Sequence, residues 1–176
     1  DSDQAKTDLQ NATGKIAKLL TGGNIYSTDF CYGEVPLELD RFDFATYESN
    51  PMEFYVVCTD VVTGKAVYHR WDSYADHGFD WIRASASMPL VSQIVEIDGK
   101  KLLDGGPCDS VPLLHSMLMG NTDKHIVVLT QDSTFVKGPN KTMPLIKRMY
   151  SDDPHFVDRV EYRHDEYNRC YRWIKR

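Results

Sequence analysis

The sequence feature that most constrains the fold is the run at residues 52–62, which is rich in β-branched and aromatic side chains. Both alternate positions of this run are largely apolar, which is typical of a central strand that helices cover on both faces. Thr63-Gly64 then predicts a turn, and residues 65–71 alternate into a second strand. The two runs therefore predict a β-hairpin.

The remaining pattern alternates strands with helices. A second hairpin is predicted around the Asp98-Gly99 turn, and residues 125–130 form another short apolar run typical of a buried strand. Apolar residues at helical spacing predict helices at residues 3–20, 40–49, 79–87 and 111–118. They also predict a long helix that begins at Pro154. We predict an α/β layered fold with a mostly parallel central sheet covered by helices, together with β-hairpins.

Composition limits the classes of function. The net charge is −6, and the more basic residues 141–176 interleave acids with bases, which indicates a solvated helix face and no nucleic-acid partner. No C-x-x-C or H-x-x-x-H pair occurs, so we expect neither a metal site nor another cofactor. The four dispersed cysteines favour a reducing, cytoplasmic compartment. The C-terminal aromatic residues are Tyr162, Tyr167, Tyr171 and Trp173. Packing is the favoured role for them, and peripheral membrane contact stays an alternative.

The most informative stretch for chemistry is residues 83–113. A segment of Ala and Ser ends at Pro89, and a hairpin then delivers Asp104 to a strand end, followed by Gly105 and Gly106. Glycine permits positive φ or close approach to a ligand, and a carboxylate at such a place can orient or deprotonate a hydroxyl. Taken alone, Asp-Gly-Gly is more typical of a plain turn whose aspartate caps backbone amides.

The order of these motifs resembles the patatin-like phospholipase family of bacterial type over residues 23–131. The resemblance rests on Ala84-Ser85-Ala86-Ser87-Met88-Pro89, the Asp98-Gly99 hairpin, and Asp104-Gly105-Gly106 followed by Pro112. It implies a lipid acyl hydrolase acting on phospholipid or other carboxylic esters through a Ser–Asp dyad, in which Asp104 is the catalytic base. The supporting motif residues are then Gly105, Gly106, Ser85, Ser87 and Pro89. Residues 1–140 would be the C-terminal part of the hydrolase domain, and residues 141–176 a helical extension.

The sequence departs from this family at the nucleophile. It contains neither G-x-S-x-G nor Gly-Gly-Gly-x-x-Gly, and in the family both precede the aspartate motif. Ser85 and Ser87 lack flanking glycines and are expected to pack, and Ser110 is expected to cap a helix. We therefore expect a fragment that is inactive alone, with an exposed sheet surface that favours a homo-oligomer. The alternative is a non-catalytic lipid- or protein-binding fragment or homologue.

Overall fold

The computed structural model of the chain describes residues 27–132 and 134–175. The predicted helix at residues 3–20 lies outside them. The described strands are β1 Tyr55–Asp60, β2 Lys65–Arg70, β3 Val95–Ile97 and β4 Lys100–Asp104. The described helices are α1 Phe30–Leu39, wound as a π-helix, and the α-helices α2 Phe44–Ser49, α3 Asp80–Ser85, α4 Leu113–Met119, α5 Met143–Met149 and α6 Pro154–Ile174.

The four strands form one sheet in the order β2-β1-β4-β3. Both predicted hairpins are present: β1 pairs with β2, and β3 pairs with β4 across Asp98-Gly99. Asp98 and Gly99 have φ of 50° and 73°. Positive φ at both central residues is the backbone that a two-residue hairpin turn requires, and the Asp-Gly pair adopts it readily.

The prediction of a mostly parallel sheet is wrong. Every strand pair among the described residues is antiparallel, including the long-range pair of β1 with β4, where Cys58 lies opposite Asp104. An apolar run shows that a strand is covered on both faces but not the direction of its neighbours. The two tight turns fix antiparallel pairing locally, because a parallel connection needs a much longer crossover.

The prediction of a strand at residues 125–130 is also wrong. This segment joins no ladder among the described strands, and Ile126 and Val128 are 92% and 88% exposed. A strand needs a partner for its backbone groups, and the apolar side chains alone do not supply one. Helix α5, which begins at Met143, was not predicted from the sequence.

Two apolar clusters lie on opposite faces of the sheet, because successive residues of a strand point to opposite sides. Leu102 belongs to the cluster that contains Trp81 and Ala84 of α3, and Leu103 belongs to the cluster of α5 and α6. Helices therefore pack against both faces of an antiparallel sheet. The proposed division of the chain at residue 140 stays a prediction.

The predicted long helix from Pro154 is confirmed as α6, with Pro154 in its first turn, where its missing N–H is not needed. Asp153 takes the N-cap position, although its side chain makes no capping hydrogen bond. The buried face of α6 follows helical spacing and consists of Phe156, Val157, Val160, Tyr167 and Tyr171.

Replacing Phe156 with alanine is predicted to lower the free energy of unfolding by about 3–5 kcal/mol, because a fully buried aromatic ring leaves a cavity between α6 and the sheet. Tyr162→Ala on the same helix is the matched control, since Tyr162 is 59% exposed; we expect a change below about 0.5 kcal/mol. Urea unfolding followed by circular dichroism measures both. Equal losses in the two variants would contradict the packing of α6 on the sheet.

Candidate active site around Asp104

The backbone of Asp104 is held from two sides at the end of β4. Its amide donates to the carbonyl oxygen of Ser87 at 2.8 Å. Its own carbonyl accepts from Thr59 Oγ1, also at 2.8 Å, and Thr59 is fully buried in β1. Both partners belong to packed parts of the fold, so the position of this residue is fixed by the core and not by a free loop.

The two glycines after Asp104 permit close approach rather than positive φ. Neither has a φ in the left-handed region. A Cβ on Gly105 would lie 2.4 Å from the carbonyl oxygen of Val57 in β1. A Cβ on Gly106 would lie 2.5 Å from Arg163 Nη2 and 2.7 Å from Asp104 Oδ1. Any side chain at either position would displace a neighbour, and at Gly105 that neighbour is backbone.

The Ala-Ser segment supports this turn through both of its serines. Ser85 Oγ donates to the carbonyl oxygen of Val57 at 2.8 Å, at the point where β4 leaves the ladder of β1. The hydroxyl therefore satisfies a carbonyl that has lost its neighbouring strand. Ser87 is buried and its Oγ donates to the Arg83 carbonyl at 2.8 Å. Pro89 lies in the turn after α3, so it ends the segment that holds Asp104.

The carboxylate of Asp104 is half-buried and faces a cleft of about 520 Å³. Oδ1 accepts from the amide of Gly106 at 2.6 Å. Among the described residues, Oδ2 has no hydrogen-bond partner. The carboxylate is therefore oriented by one oxygen and retains the other for a further donor. The cleft is lined by β1, α3, the glycine turn and α6, including Val57, Ile82, Ser85, Ser110 and Arg163.

A second network, which the sequence analysis missed, anchors the loop after the glycines. Tyr68 of β2 donates from its hydroxyl to Asp109 Oδ2 at 2.6 Å, and the ring of His115 stacks on that of Tyr68 at 3.6 Å. Burial, followed by the bond to Asp109, raises the pKa of Tyr68, so the phenol stays a neutral donor. The partners are 41 residues apart, and no local pattern joins them.

Ser110 does not cap a helix, contrary to prediction. Its Oγ donates to the carbonyl oxygen of Gly106 at 2.7 Å, and α4 begins later, with Pro112 at its N-cap position. The serine thus closes the loop that follows the glycines. Proline disfavours helical backbone at the residue before it, here Val111, which explains why the helix begins two residues after the predicted start.

The cysteine thiols near the site are not activated nucleophiles. Burial raises the pKa of Cys58 to about 12, and nearby Asp104 acts in the same direction. The pKa of Cys108 is also raised, again chiefly by burial. All four cysteines are unpaired. No cluster of metal-ligating side chains occurs within residues 27–132 and 134–175.

None of the helices in the described part of the chain has both the length and the hydropathy needed to cross a membrane.

Comparison with known families gives a match to the family model described as Patatin-like phospholipase, over residues 4–117. The match includes the Ala-Ser segment, the second hairpin and the Asp-Gly-Gly turn. No curated protein matches the chain significantly.

Replacing Gly105 with alanine is predicted to lower the free energy of unfolding by about 3 kcal/mol, because the new methyl group overlaps the Val57 carbonyl. Gly33→Ala is the matched control, since a Cβ there meets nothing within 4 Å and the position lies in helical backbone; we expect unchanged or raised stability. Thermal unfolding compares the two. A Gly105→Ala protein as stable as the wild type would contradict the close backbone approach.

Proposed function

The chain belongs to the patatin-like phospholipase family, a family of lipid hydrolases, and from this premise we propose that Asp104 is the base of a Ser–Asp dyad. In this proposal the chain is part of a serine lipid acyl hydrolase that cleaves phospholipid or other carboxylic esters. The observation that carries the proposal is the carboxylate of Asp104, which faces a cleft with Oδ2 unoccupied while Oδ1 is held by Gly106.

The proposed chemistry assigns one role to each oxygen of the carboxylate. Oδ1 keeps its bond to the Gly106 amide, and Oδ2 accepts the proton of a serine hydroxyl from a G-x-S-x-G motif, which these 176 residues do not contain. The serine oxygen attacks the ester carbonyl, and the proton passes to the departing alcohol as the acyl-enzyme forms. Water then attacks the acyl-enzyme by the same route in reverse, which restores the serine and releases the fatty acid.

Rigid support favours a catalytic use of Asp104 over a plain turn. A base must stay within a few tenths of an ångström of its productive position, and backbone bonds to Ser87 and Thr59 hold this one from both sides. A turn aspartate needs only its bond to the following amide. The bonds to Ser87, just after α3, and to Thr59 of β1 support a precise placement of the carboxylate for proton transfer.

The acyl chain of the substrate is assigned to a neighbouring cleft of about 460 Å³ between α6 and the loop after the glycines. The two clefts have Gly106, Asp109, Ser110 and Arg163 in common. Apolar side chains line the second cleft, which suits an alkyl chain whose ester group lies near Asp104. These side chains are Val111, Leu114, Tyr167 and Trp173.

The second candidate function is non-catalytic binding of lipid or a protein. The observation in its favour is the absence of G-x-S-x-G from all 176 residues. The two candidates differ in one property, which is whether the encoding reading frame supplies a serine that reacts with a fluorophosphonate probe. Lipid binding without such a serine would favour the non-catalytic function.

Replacing Asp104 with asparagine in the protein made from the full encoding reading frame is predicted to lower kcat/KM for a carboxylic ester by about 10²–10⁴-fold. Asparagine keeps the acceptor for the Gly106 amide but cannot take a proton, so the fold should be retained. Hydrolysis of a p-nitrophenyl acyl ester and labelling by a fluorophosphonate probe measure the loss.

Asp98→Asn is the matched control for this experiment. It makes the same chemical change at the exposed hairpin turn, where asparagine tolerates the positive φ of 50°. We expect full activity in this variant. Asp104→Asn protein with wild-type hydrolysis and labelling would exclude Asp104 as the base.

A further inference from the structure

A half-buried arginine, Arg163 of α6, lies where the two clefts meet. A Cβ added to Gly106 would lie 2.5 Å from Arg163 Nη2 and 2.7 Å from Asp104 Oδ1. Both groups therefore approach Gly106 closely. The guanidinium therefore lies beside the proposed base, with only a glycine between them. The absence of a side chain at Gly106 is what lets the two groups come this close.

The bonding of Arg163 differs from that of its neighbour on the same helix. Arg159 has its Nη1 2.9 Å from Glu166 Oε1 and donates from Nε to the Gly64 carbonyl at 3.0 Å. Arg163 forms no ion pair with any described residue, and its hydrogen-bond partner is Ser110 Oγ at 3.3 Å. Four of its five N–H donors thus have no protein acceptor within the described chain. A half-buried cation with unused donors is stabilised when an anion pairs with it.

A second cation, Lys137, lies within electrostatic reach of the same place. Its ammonium stands 4.5 Å above the ring of Tyr167. Its backbone is fixed to α6 by two bonds with Asn168, both 2.9 Å long. Burial lowers the pKa of Lys137, the positive charge of Arg163 lowers it further, and Asp104 acts in the opposite direction. Lys137 therefore lies beside Tyr167, which lines the same cleft as Arg163.

The other carboxylates near the clefts already have partners. Glu166 pairs with Arg159, and Asp109 accepts from the Tyr68 hydroxyl. The excess positive charge at the junction is therefore not neutralised by these groups. An anion at the junction would be attracted by both cations, and this attraction would offset their mutual repulsion.

We propose that Arg163, assisted by Lys137, binds the phosphate or carboxylate group of an amphiphilic substrate at the junction of the two clefts. This inference deepens the proposed function and rests on it only in treating the bound molecule as a substrate. The binding site itself does not depend on catalysis. Arginine suits the role because its planar guanidinium can donate two parallel bonds to a phosphate or carboxylate.

The apolar wall next to Arg163 indicates an amphiphile rather than a free inorganic anion. Leu114 and Trp173 are 52% and 53% exposed, and both line the cleft that Arg163 enters. An alkyl chain attached to the anionic group would cover these side chains and remove apolar surface from water. Head and tail would therefore be recognised by adjacent parts of one site.

The test is a binding titration of the full-length protein with octyl phosphate, 1-octanol and inorganic phosphate, each below any micelle concentration. Trp173 is the natural reporter within these 176 residues, because their other two tryptophans, Trp71 and Trp81, are buried. We expect octyl phosphate to bind at least tenfold more tightly than either other probe. Arg163→Gln should weaken octyl phosphate binding by about 10- to 100-fold without changing octanol binding.

Arg172→Gln is the matched control, since Arg172 is exposed on the same helix and lines neither cleft; wild-type affinity is expected. Arg163→Lys should retain part of the affinity, because the charge remains while the paired donors are lost. If Arg163→Gln does not fold, Lys137→Gln decides, with an expected loss of about threefold to tenfold.

Equal affinity for octyl phosphate and octanol would overturn the anion site. Unchanged octyl phosphate binding in Arg163→Gln would do the same. If that variant does not fold, unchanged binding in Lys137→Gln has the same meaning. Inorganic phosphate binding as tightly as octyl phosphate would overturn the assignment of an amphiphilic ligand. Asp104→Asn separates this proposal from the dyad, because loss of the neighbouring negative charge should tighten octyl phosphate binding severalfold while hydrolysis falls. Retained hydrolysis with tighter binding would exclude the dyad and leave the anion site standing.

Discussion

The arrangement of the site depends on the contact between two stretches of backbone, Gly105 and the carbonyl of Val57. Where β4 separates from β1, the chain passes so close to this carbonyl that no side chain fits. Ser85 supplies the hydrogen bond that the carbonyl would otherwise lack, and the Ser87 carbonyl accepts from the amide of Asp104. The Ala-Ser segment and the Asp-Gly-Gly turn are therefore one structural unit, although the second hairpin separates them in sequence.

The same contact determines which groups can meet in the cleft. The turn carries the loop of Asp109 and Ser110 towards α6, where Ser110 accepts from Arg163 and Asp109 accepts from Tyr68 of β2. Helix α6 in turn packs Phe156 and Val160 on the sheet. The guanidinium of Arg163 is thus positioned by the hydrophobic core on one side and by the glycine turn on the other. A cation beside a carboxylate is an outcome of packing here, without a direct ion pair.

Local features were predictable from the sequence, and long-range ones were not. Both hairpins follow from turn residues, and α6 follows from Asp153-Pro154 and the spacing of its apolar residues. The direction of strand pairing does not follow, because an apolar run reports burial and not the orientation of its neighbour. Residues 125–130 show the same limit: their side chains suit a strand, but a strand also needs a partner. Arg163 was missed because its partner Ser110 is 53 residues away.

Asp104 shows why the plain turn and the catalytic base are not opposing interpretations. The bond from Gly106 to Oδ1 is the one that a turn aspartate makes, and it occupies one oxygen only. That bond also restrains the carboxylate of a residue that lines the cleft, and it leaves Oδ2 available. A turn that orients its aspartate this firmly provides the pre-organisation that a general base needs. The structural role of Oδ1 is therefore the condition for the proposed chemical role of Oδ2.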